Sequence, residues 1–397
     1  MKVVIIIPTY NEQENIGQTI RDLEEEFKKI KDHNMNVLVI DSNSTDKTKQ
    51  IVEDLQKEHK NIFLVVEKEK SGLGGAYIMA MKYAMDKMQA DTVFEFDADG
   101  SHQPKYIPGM VEKLANGADV VVGSRYVKGG SMPKDWGFNR KFVSYVGNFV
   151  AQTVLFLPQY KDITSGFRGT KTKFLKRIDL DGLYSKQFAY KIHLYYELHK
   201  LGAKIVEYPI DFIDRSKGRS KFPTNNVRDS LLLCFKLRFR DSKQFLQVCV
   251  VGLIGAVVQF SIFNAFRSSI DPALANAVAV ELAVISNFII NNIWTFKEER
   301  IAFGQVGKLL GKFAMFNLVS MGSIFIQFIV IKIGVGALGR GFLIENGLVM
   351  VGILLGLAWN FTMYKKVIWK TKGGASMAKT PGVARNESPG VSADNAN

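Results

Sequence analysis

The sequence predicts an α/β protein with a mostly parallel sheet, followed by an all-α region of four transmembrane helices. Three observations carry that prediction. Strand-length apolar runs alternate with segments of helical period through the first half of the chain. The polar and acidic residues of that half gather just after those runs, at the carboxyl ends where a parallel sheet binds ligands. From Phe245 the composition changes abruptly into apolar stretches of membrane-spanning length.

Val3 to Ile7 is a continuous apolar run, too short for a signal peptide, and reads as a core strand covered on both faces. Ile16, Ile20, Leu23 and Phe27 follow at helical spacing, and Val37 to Ile40 repeats the strand pattern, which makes a βαβ unit. A helix carrying Ile51, Val52 and Leu55, a strand at Ile62 to Val66, a helix from about Ala76 to Met88 and a strand at Thr92 to Phe96 continue the alternation. Polar lips stand at three strand ends: Pro8-Thr9-Tyr10-Asn11-Glu12, Asp41-Ser42-Asn43-Ser44-Thr45-Asp46 and Asp97-Ala98-Asp99. Side chains at spacing two on a strand share a face, so Asp97 and Asp99 are expected to reach a common point. Two carboxylates that close repel unless a cation lies between them, and a divalent metal carrying a diphosphate suits that place. The alternative is a solvated strand end.

The chain has 397 residues with 52 Lys and Arg against 38 Asp and Glu, a net charge of +14. An anionic partner follows: nucleic acid, a membrane surface or a phosphorylated ligand, among which charge does not choose. Two cysteines, Cys234 and Cys249, suggest neither a disulfide framework nor a zinc site and argue against a redox role.

The three lips, with Gly72-Leu73-Gly74-Gly75-Ala76-Tyr77, Gly123-Ser124-Arg125-Tyr126, Ser165-Gly166-Phe167-Arg168 and Asp214-Arg215-Ser216-Lys217-Gly218-Arg219-Ser220-Lys221, resemble in order the family-2 glycosyltransferases of the GT-A fold, and among them the dolichol-phosphate mannose synthases. The resemblance covers roughly the first 240 residues. It implies a Rossmann-like GT-A sheet and a nucleotide-sugar pocket at Pro8, Tyr10, Glu12, Asp41, Asp97, Ala98 and Asp99. It implies a Mg²⁺ or Mn²⁺ ion held by Asp99 with Asp97 and Ser101. Relatives often carry Gln at the Ser101 position and a second Asp at Ser42, so His102 or water is expected to complete the metal's shell. No nucleic-acid partner is implied. The glycine cluster reads either as a phosphate cradle or as a plain strand-to-helix turn.

Between Ser124 and Lys221 stand Arg125, Arg140, Arg168, Arg215 and Arg219, with Lys217 and Lys221. Arginine's planar fork suits phosphate oxygens, so the set reads as a phosphate clamp or as a basic face toward anionic lipid. The resemblance implies acceptor-phosphate binding by Ser124, Arg125, Arg140, Arg215 and Lys221, and puts Asp162 where relatives carry a catalytic base, so that Asp99, Arg125, Asp162 and Arg215 form the expected catalytic set. A phosphomonoester, with a second pKa of about 6, is already anionic and needs cations to position it more than a base.

Four apolar stretches follow, at about 245–266, 273–293, 309–331 and 343–363, resembling a GtrA-like membrane domain. The expected domains are residues 1–223 (transferase, with an interfacial helix at about 136–157), 224–244 (interfacial amphipathic helix), 245–372 (membrane domain) and 373–397 (disordered tail). Lys297, Arg300, Lys308, Lys312, Lys365, Lys366, Lys370 and Lys372 flank one side of the spans, which puts the catalytic domain and both termini in the cytoplasm. Glu281 and several asparagines lie within or beside the spans. The expected activity is inverting transfer of mannose from GDP-mannose to dolichyl or another polyprenyl phosphate. The alternatives are the UDP-glucose reaction on the same acceptor, or a lipid-linked sugar translocator with a non-catalytic front domain.

Overall fold

The structure, a computed structural model, describes residues 1–214, 226–266, 268–339 and 341–370. The chain divides into two units, Met1–Arg240 and Asp241–Asn397.

The first unit is built on one seven-stranded sheet of order β3-β2-β1-β4-β6-β5-β7. Its strands are β1 (Lys2–Thr9), β2 (Asn34–Asp41), β3 (Ile62–Val66), β4 (Thr92–Glu95), β5 (Val120–Ser124), β6 (Arg168–Lys171) and β7 (Ile205–Pro209). Pairing is parallel except at β6, which runs antiparallel to both β4 and β5. The helices of this unit are α1 (Ile16–Phe27), α2 (Thr48–Glu58), α3 (Leu73–Asp86), α4 (Ile107–Ala115), α5 (Phe138–Leu155), α6 (Thr172–Leu175) and α7 (Tyr190–Lys200).

The period-two alternation of the strands sorts the core into two layers. Val3, Ile5 and Ile7 pack with Ile16, Ile20 and Leu23 of α1, Val52 of α2 and Met110 of α4. Val4 and Ile6 face the other way, onto Ala80, Met81 and Ala84 of α3 and Ile192 and Leu194 of α7. These β1 side chains are wholly buried, and each such burial contributes about 1.5–3 kcal/mol. Because both faces are covered, β1 reads as one unbroken apolar run. The register sets Thr9 beside Asp41 and Ile6 beside Glu95, so the ends of β1, β2 and β4 lie together on one edge.

Two differences from the sequence expectation bear on the site. β4 stops at Glu95, so Asp97 and Asp99 are not on a strand, and their shared direction comes from the turn with Gly100 at φ +80°. β6 was not anticipated: four residues containing Arg and Lys carry no apolar pattern, and their pairing is set by tertiary contact.

The long helix α8 (Asn226–Phe266) begins in the first unit, and the boundary between units falls inside it. Its amphipathic start and the first apolar stretch are one helix of 41 residues with no proline to interrupt it. The second unit continues with α9 (Pro272–Ile290), α10 (Val306–Leu338) and α11 (Phe342–Met363). Among the described residues three segments, within Asn226–Phe266, Val278–Thr295 and Val306–Leu338, have the length and hydropathy to cross a membrane. The fourth expected span coincides with α11. Wide helical turns end α9 at Asn291–Thr295 and α11 at Tyr364–Ile368. There Phe296 stacks on Trp369 at 4.5 Å, and buried Asn292 accepts from the Trp369 indole at 3.1 Å and pairs with both backbone groups of Ile301 at 2.9 Å. Glu281 is exposed on α9. The expected tail, 373–397, lies outside the described residues.

Candidate functional site

Two cavities open at the carboxyl edge of the sheet in the first unit. One, of about 510 Å³, is lined by Pro8, Tyr10 and Glu12 after β1, Lys70 and Gly72 before α3, Asp97, Ala98 and Asp99 after β4, and Gln187, Phe188 and Lys191 around the start of α7. The other, of about 630 Å³, is lined by Arg125, Trp136, Phe212 and Asp214, by Arg140, Val143, Gly147 and Ala151 of α5, and by Val227 and Leu231 of α8. Asp97, Asp99, Phe188 and Asn226 line both.

In the first cavity the Lys70 ammonium lies 3.3 Å from the Tyr10 ring centroid. Glu12 is held by Asn15 Nδ2 at 3.0 Å, and its own N–H donates to Thr48 at 2.9 Å. The glycines serve close packing: Gly72 has φ +89°, and the N–H groups of Gly74 and Gly75 both donate to the Lys186 carbonyl, at 2.9 and 3.2 Å. A Cβ on Gly74 would run into Tyr190 and the Lys186 backbone, so a helix-to-loop contact accounts for the cluster.

At the junction Asp97 Oδ1 accepts from the Tyr77 hydroxyl at 2.8 Å, and Oδ2 faces Lys191 Nζ at 3.6 Å and His102 Nε2 at 3.7 Å. Burial, then the Asp97 charge, pushes the Tyr77 phenol well above its usual pKa, so it remains a donor. Asp99 accepts from Ser101 twice, from the hydroxyl at 2.6 Å and the N–H at 3.0 Å. His102, expected as a candidate metal ligand, is engaged by the fold. Its Nδ1 accepts the Asp97 N–H at 2.9 Å, its ring stacks on Phe167 at 4.9 Å, and burial lowers its pKa against the pull of Asp97, so it is neutral at pH 7. A magnesium-like ion needs one or two protein carboxylates and takes its other ligands from substrate phosphates and water. Asp99, an oxygen donor at the meeting of two cavities, suits such an ion. Among the described residues no cluster of three or more His, Cys, Asp or Glu forms an all-protein cage.

In the second cavity Arg125 is clamped by Asp162. Nε and Nη2 donate to its two carboxylate oxygens at 2.8 Å each, the Arg125 N–H adds a bond at 3.1 Å, and Nη2 also reaches Thr164 at 2.9 Å. Burial opposes the guanidinium charge, but the Asp162 carboxylate more than offsets it and raises the pKa above its usual value. Arg140 on α5 lies 4.0 Å from the Trp136 ring and pairs with Asp214 at 2.7 Å.

The structure brings Pro8, Tyr10, Glu12, Asp97, Ala98 and Asp99 together in the first cavity, and Asp97, Asp99, Ser101, Arg125 and Arg140 in the second. It does not bring in Asp41, which is buried and takes hydrogen bonds from Thr9 at 2.8 Å and from the Ser44 hydroxyl and N–H at 2.6 and 2.8 Å, holding the turn after β2. Ser124 is buried at the end of β5 and lines neither cavity. Asp162 is likewise not brought to either cavity: the residue is fully buried and gives its carboxylate oxygens to Arg125. Arg168 leaves the phosphate clamp. β4 and β6 pair Glu95 with Arg168, and the wholly buried guanidinium lies 2.6 Å from that carboxylate, which also takes the Tyr190 hydroxyl. Arg215, Lys217, Arg219 and Lys221 lie outside the described residues. Sequence reasoning missed Lys70, Gln187, Phe188 and Lys191. Helix lysines are ordinarily solvated, and nothing local distinguishes Lys191.

Residues 4–179 match the model of glycosyl transferase family 2, and residues 248–369 match that of the GtrA/DPMS transmembrane domain. The dolichol-phosphate mannosyltransferase of Pyrococcus furiosus is 30% identical over 94% of this chain and 100% of its own length. An undecaprenyl-phosphate mannosyltransferase of Micrococcus luteus is 35% identical over 58% of this chain and 92% of its own. A polyprenol monophosphomannose synthase of Mycolicibacterium smegmatis is 31% identical over 58% and 84%. A sheet with its polar groups at one carboxyl edge, apolar helices in the second unit, and full-length similarity to one relative place the chain in the dolichol-phosphate mannose synthase family, as a membrane-bound glycosyltransferase of family 2 with a GtrA/DPMS transmembrane domain.

Proposed function

We propose that the chain transfers mannose from GDP-mannose to dolichyl or another polyprenyl phosphate, inverting the anomeric centre, with the transferase domain on the cytoplasmic face of the membrane. The observation that carries this reading is the meeting of two unlike cavities at Asp97 and Asp99. One is lined by polar and charged groups with a tyrosine ring, suited to a nucleotide and its sugar. The other combines an arginine at its head with apolar side chains of α5 and α8, suited to a phosphate on a hydrocarbon tail.

In this reading Pro8, Tyr10 and Glu12 hold the nucleoside, Ala98 and Gly72 form the wall beside the diphosphate, and Asp99 holds a Mg²⁺ or Mn²⁺ ion. When bound, that ion neutralises charge growing on the leaving diphosphate. Arg125 and Arg140 orient the acceptor phosphate for in-line attack, with Asp162 fixing the plane of Arg125. No group need take a proton, since the nucleophile is already an anion. Arg140 must exchange Asp214 for the phosphate, a substitution of one anion for a more highly charged one. The exposed aromatic side chains of α5, Phe138, Phe142, Tyr145 and Phe149, support an interfacial placement of that helix.

Purified full-length protein, polyprenyl phosphate, Mn²⁺ or Mg²⁺ and a panel of labelled nucleotide sugars test the reading. Mannolipid from GDP-mannose is expected. Transfer from UDP-glucose alone would overturn the donor, and no glycolipid from any donor would overturn the reaction.

A further inference from the structure

We propose that Glu67 makes the first cavity selective for guanine: it takes the hydroxyl hydrogens of Ser42 and Ser71, and the two serine oxygens left as acceptors meet the N1–H and 2-amino groups of the base. The inference rests on the GDP-mannose reading above and assigns its nucleobase selectivity to residues.

Glu67 directly follows β3 and is 1% exposed. It does not line the cavity itself, whereas Ser42 after β2 and Ser71 before α3 both do. The carboxylate bridges the two serines: Oε2 accepts from the Ser42 hydroxyl, and Oε1 from the Ser71 hydroxyl at 2.5 Å. A carboxylate only accepts, so both serines are turned the same way. Each spends its single hydrogen on Glu67 and keeps oxygen lone pairs for a ligand. Backbone bonds fix the frame: the Ser42 N–H donates to the Thr9 carbonyl at 2.9 Å, and the Glu67 N–H to the Asp41 carbonyl at 2.8 Å. Gly75 gives Ser71 its room, since a Cβ there would overlap the Ser71 hydroxyl. The cavity that Pro8 and Tyr10 line is thus offered two acceptors where unconstrained serines would offer donors as well. Guanine has two adjacent donors, N1–H and the 2-amino group. Uracil has one N–H between two carbonyls, adenine has a ring acceptor beside its amino group, and hypoxanthine keeps N1–H without the 2-amino group. Each of these would leave a serine oxygen desolvated and unpaired, which is the costly outcome. Glu67 is a positioning residue in this scheme, and Ser42 and Ser71 are the groups that read the base.

The test is calorimetric titration of the full-length protein in detergent with GDP, inosine diphosphate, UDP and pyrophosphate, each with Mg²⁺. The wild type is expected to bind inosine diphosphate about tenfold more weakly than GDP, the loss of one hydrogen bond to a buried acceptor. Ser42→Ala combined with Ser71→Ala should bring the two nucleotides within about twofold of each other by weakening GDP. Glu67→Gln should narrow the same gap, because its amide donates to one serine and returns that hydroxyl's hydrogen to the cavity. Equal wild-type affinity for GDP and inosine diphosphate overturns the proposal, as does a folded double or Glu67→Gln variant that keeps the wild-type preference. Should those variants fail to fold, Ser71→Ala alone decides: a loss of about tenfold for GDP with pyrophosphate affinity kept supports the proposal, and any other result overturns it. UDP bound more tightly than GDP by the wild type would sink the guanine donor and this proposal with it, whereas GDP preferred over UDP but not over inosine diphosphate overturns the proposal alone.

Discussion

Asp99 and Asp162 are both buried carboxylates, and what surrounds them separates their roles. Asp99 stands where two cavities meet, and its replacement by alanine should lower turnover on the order of a thousandfold with metal present, in keeping with the several kcal/mol a bound cation supplies to a developing charge. A steady-state assay with labelled donor checks this, and retained turnover would count against it. Asp162 gives its oxygens to Arg125, so Asp162→Asn should raise KM for the lipid phosphate and leave KM for the nucleotide sugar within about threefold. It should also cost about 3–5 kcal/mol of stability by leaving a buried guanidinium with its partner charge removed. A role as base would instead remove a limb of the kcat–pH profile. The Asp-x-Asp lip was legible because carboxylates break an apolar run at a strand end. The placement of Asp162 was not, because its sequence neighbourhood is the same whether the side chain faces substrate or faces Arg125. Lys191 was illegible for a related reason: the aspartate it meets is 94 residues away, brought near only by the packing of α7 on the sheet.

Among the elements, α5 and α7 carry the clearest expectations. On α5, Gly147 lines the second cavity, and a Cβ added there meets nothing within 4 Å. Gly147→Phe should fill the apolar space, raise KM for a polyprenyl phosphate about tenfold or more, and leave the helix intact, since glycine is the weaker helix former. Kinetics with a short-chain and a long-chain acceptor measure it, and an unchanged KM for both would remove the cavity from the acceptor's path. On α7, Glu197 is held below the usual carboxyl pKa: burial opposes this, but bonds from His193 and from Arg240, the latter at 2.6 Å, outweigh it. A depressed folded-state value gives stability that is complete above the unfolded value of about 4.5 and is lost as pH falls through the folded one. Glu197→Gln should therefore flatten the decline in Tm on acidification through that range, as read by thermal melts. The parallel strands β1 to β4 and the helices α1 to α3 were readable from apolar period, whereas β5, β7, α4 and α7 were not read from the sequence. β6 was not, because a four-residue strand with a buried Arg–Glu pair presents the composition of a solvated loop.

On the scale of the whole molecule, the proposed orientation with the transferase unit in the cytoplasm rests on the basic residues beside the second and last apolar segments. Protease added to sealed inside-out membrane vesicles should remove that unit, while right-side-out vesicles should protect it. The reverse pattern would overturn the assignment. The membrane region was legible from hydropathy, but the continuity of α8 was not, since composition changes at Phe245 without a residue that stops a helix. The first turn of α7 has a wider consequence. Its adjacent residues Tyr190 and Lys191 reach Glu95 and Asp97, so one turn of helix grips the core ion pair of the sheet with one side chain and the chemical centre with the next. The usual exchange of activity for stability at strained sites has no room to operate there. A substitution that loosens this turn forfeits both together, and laboratory evolution toward heat resistance should leave positions 190 and 191 alone while it alters the exposed faces of α1 and α2.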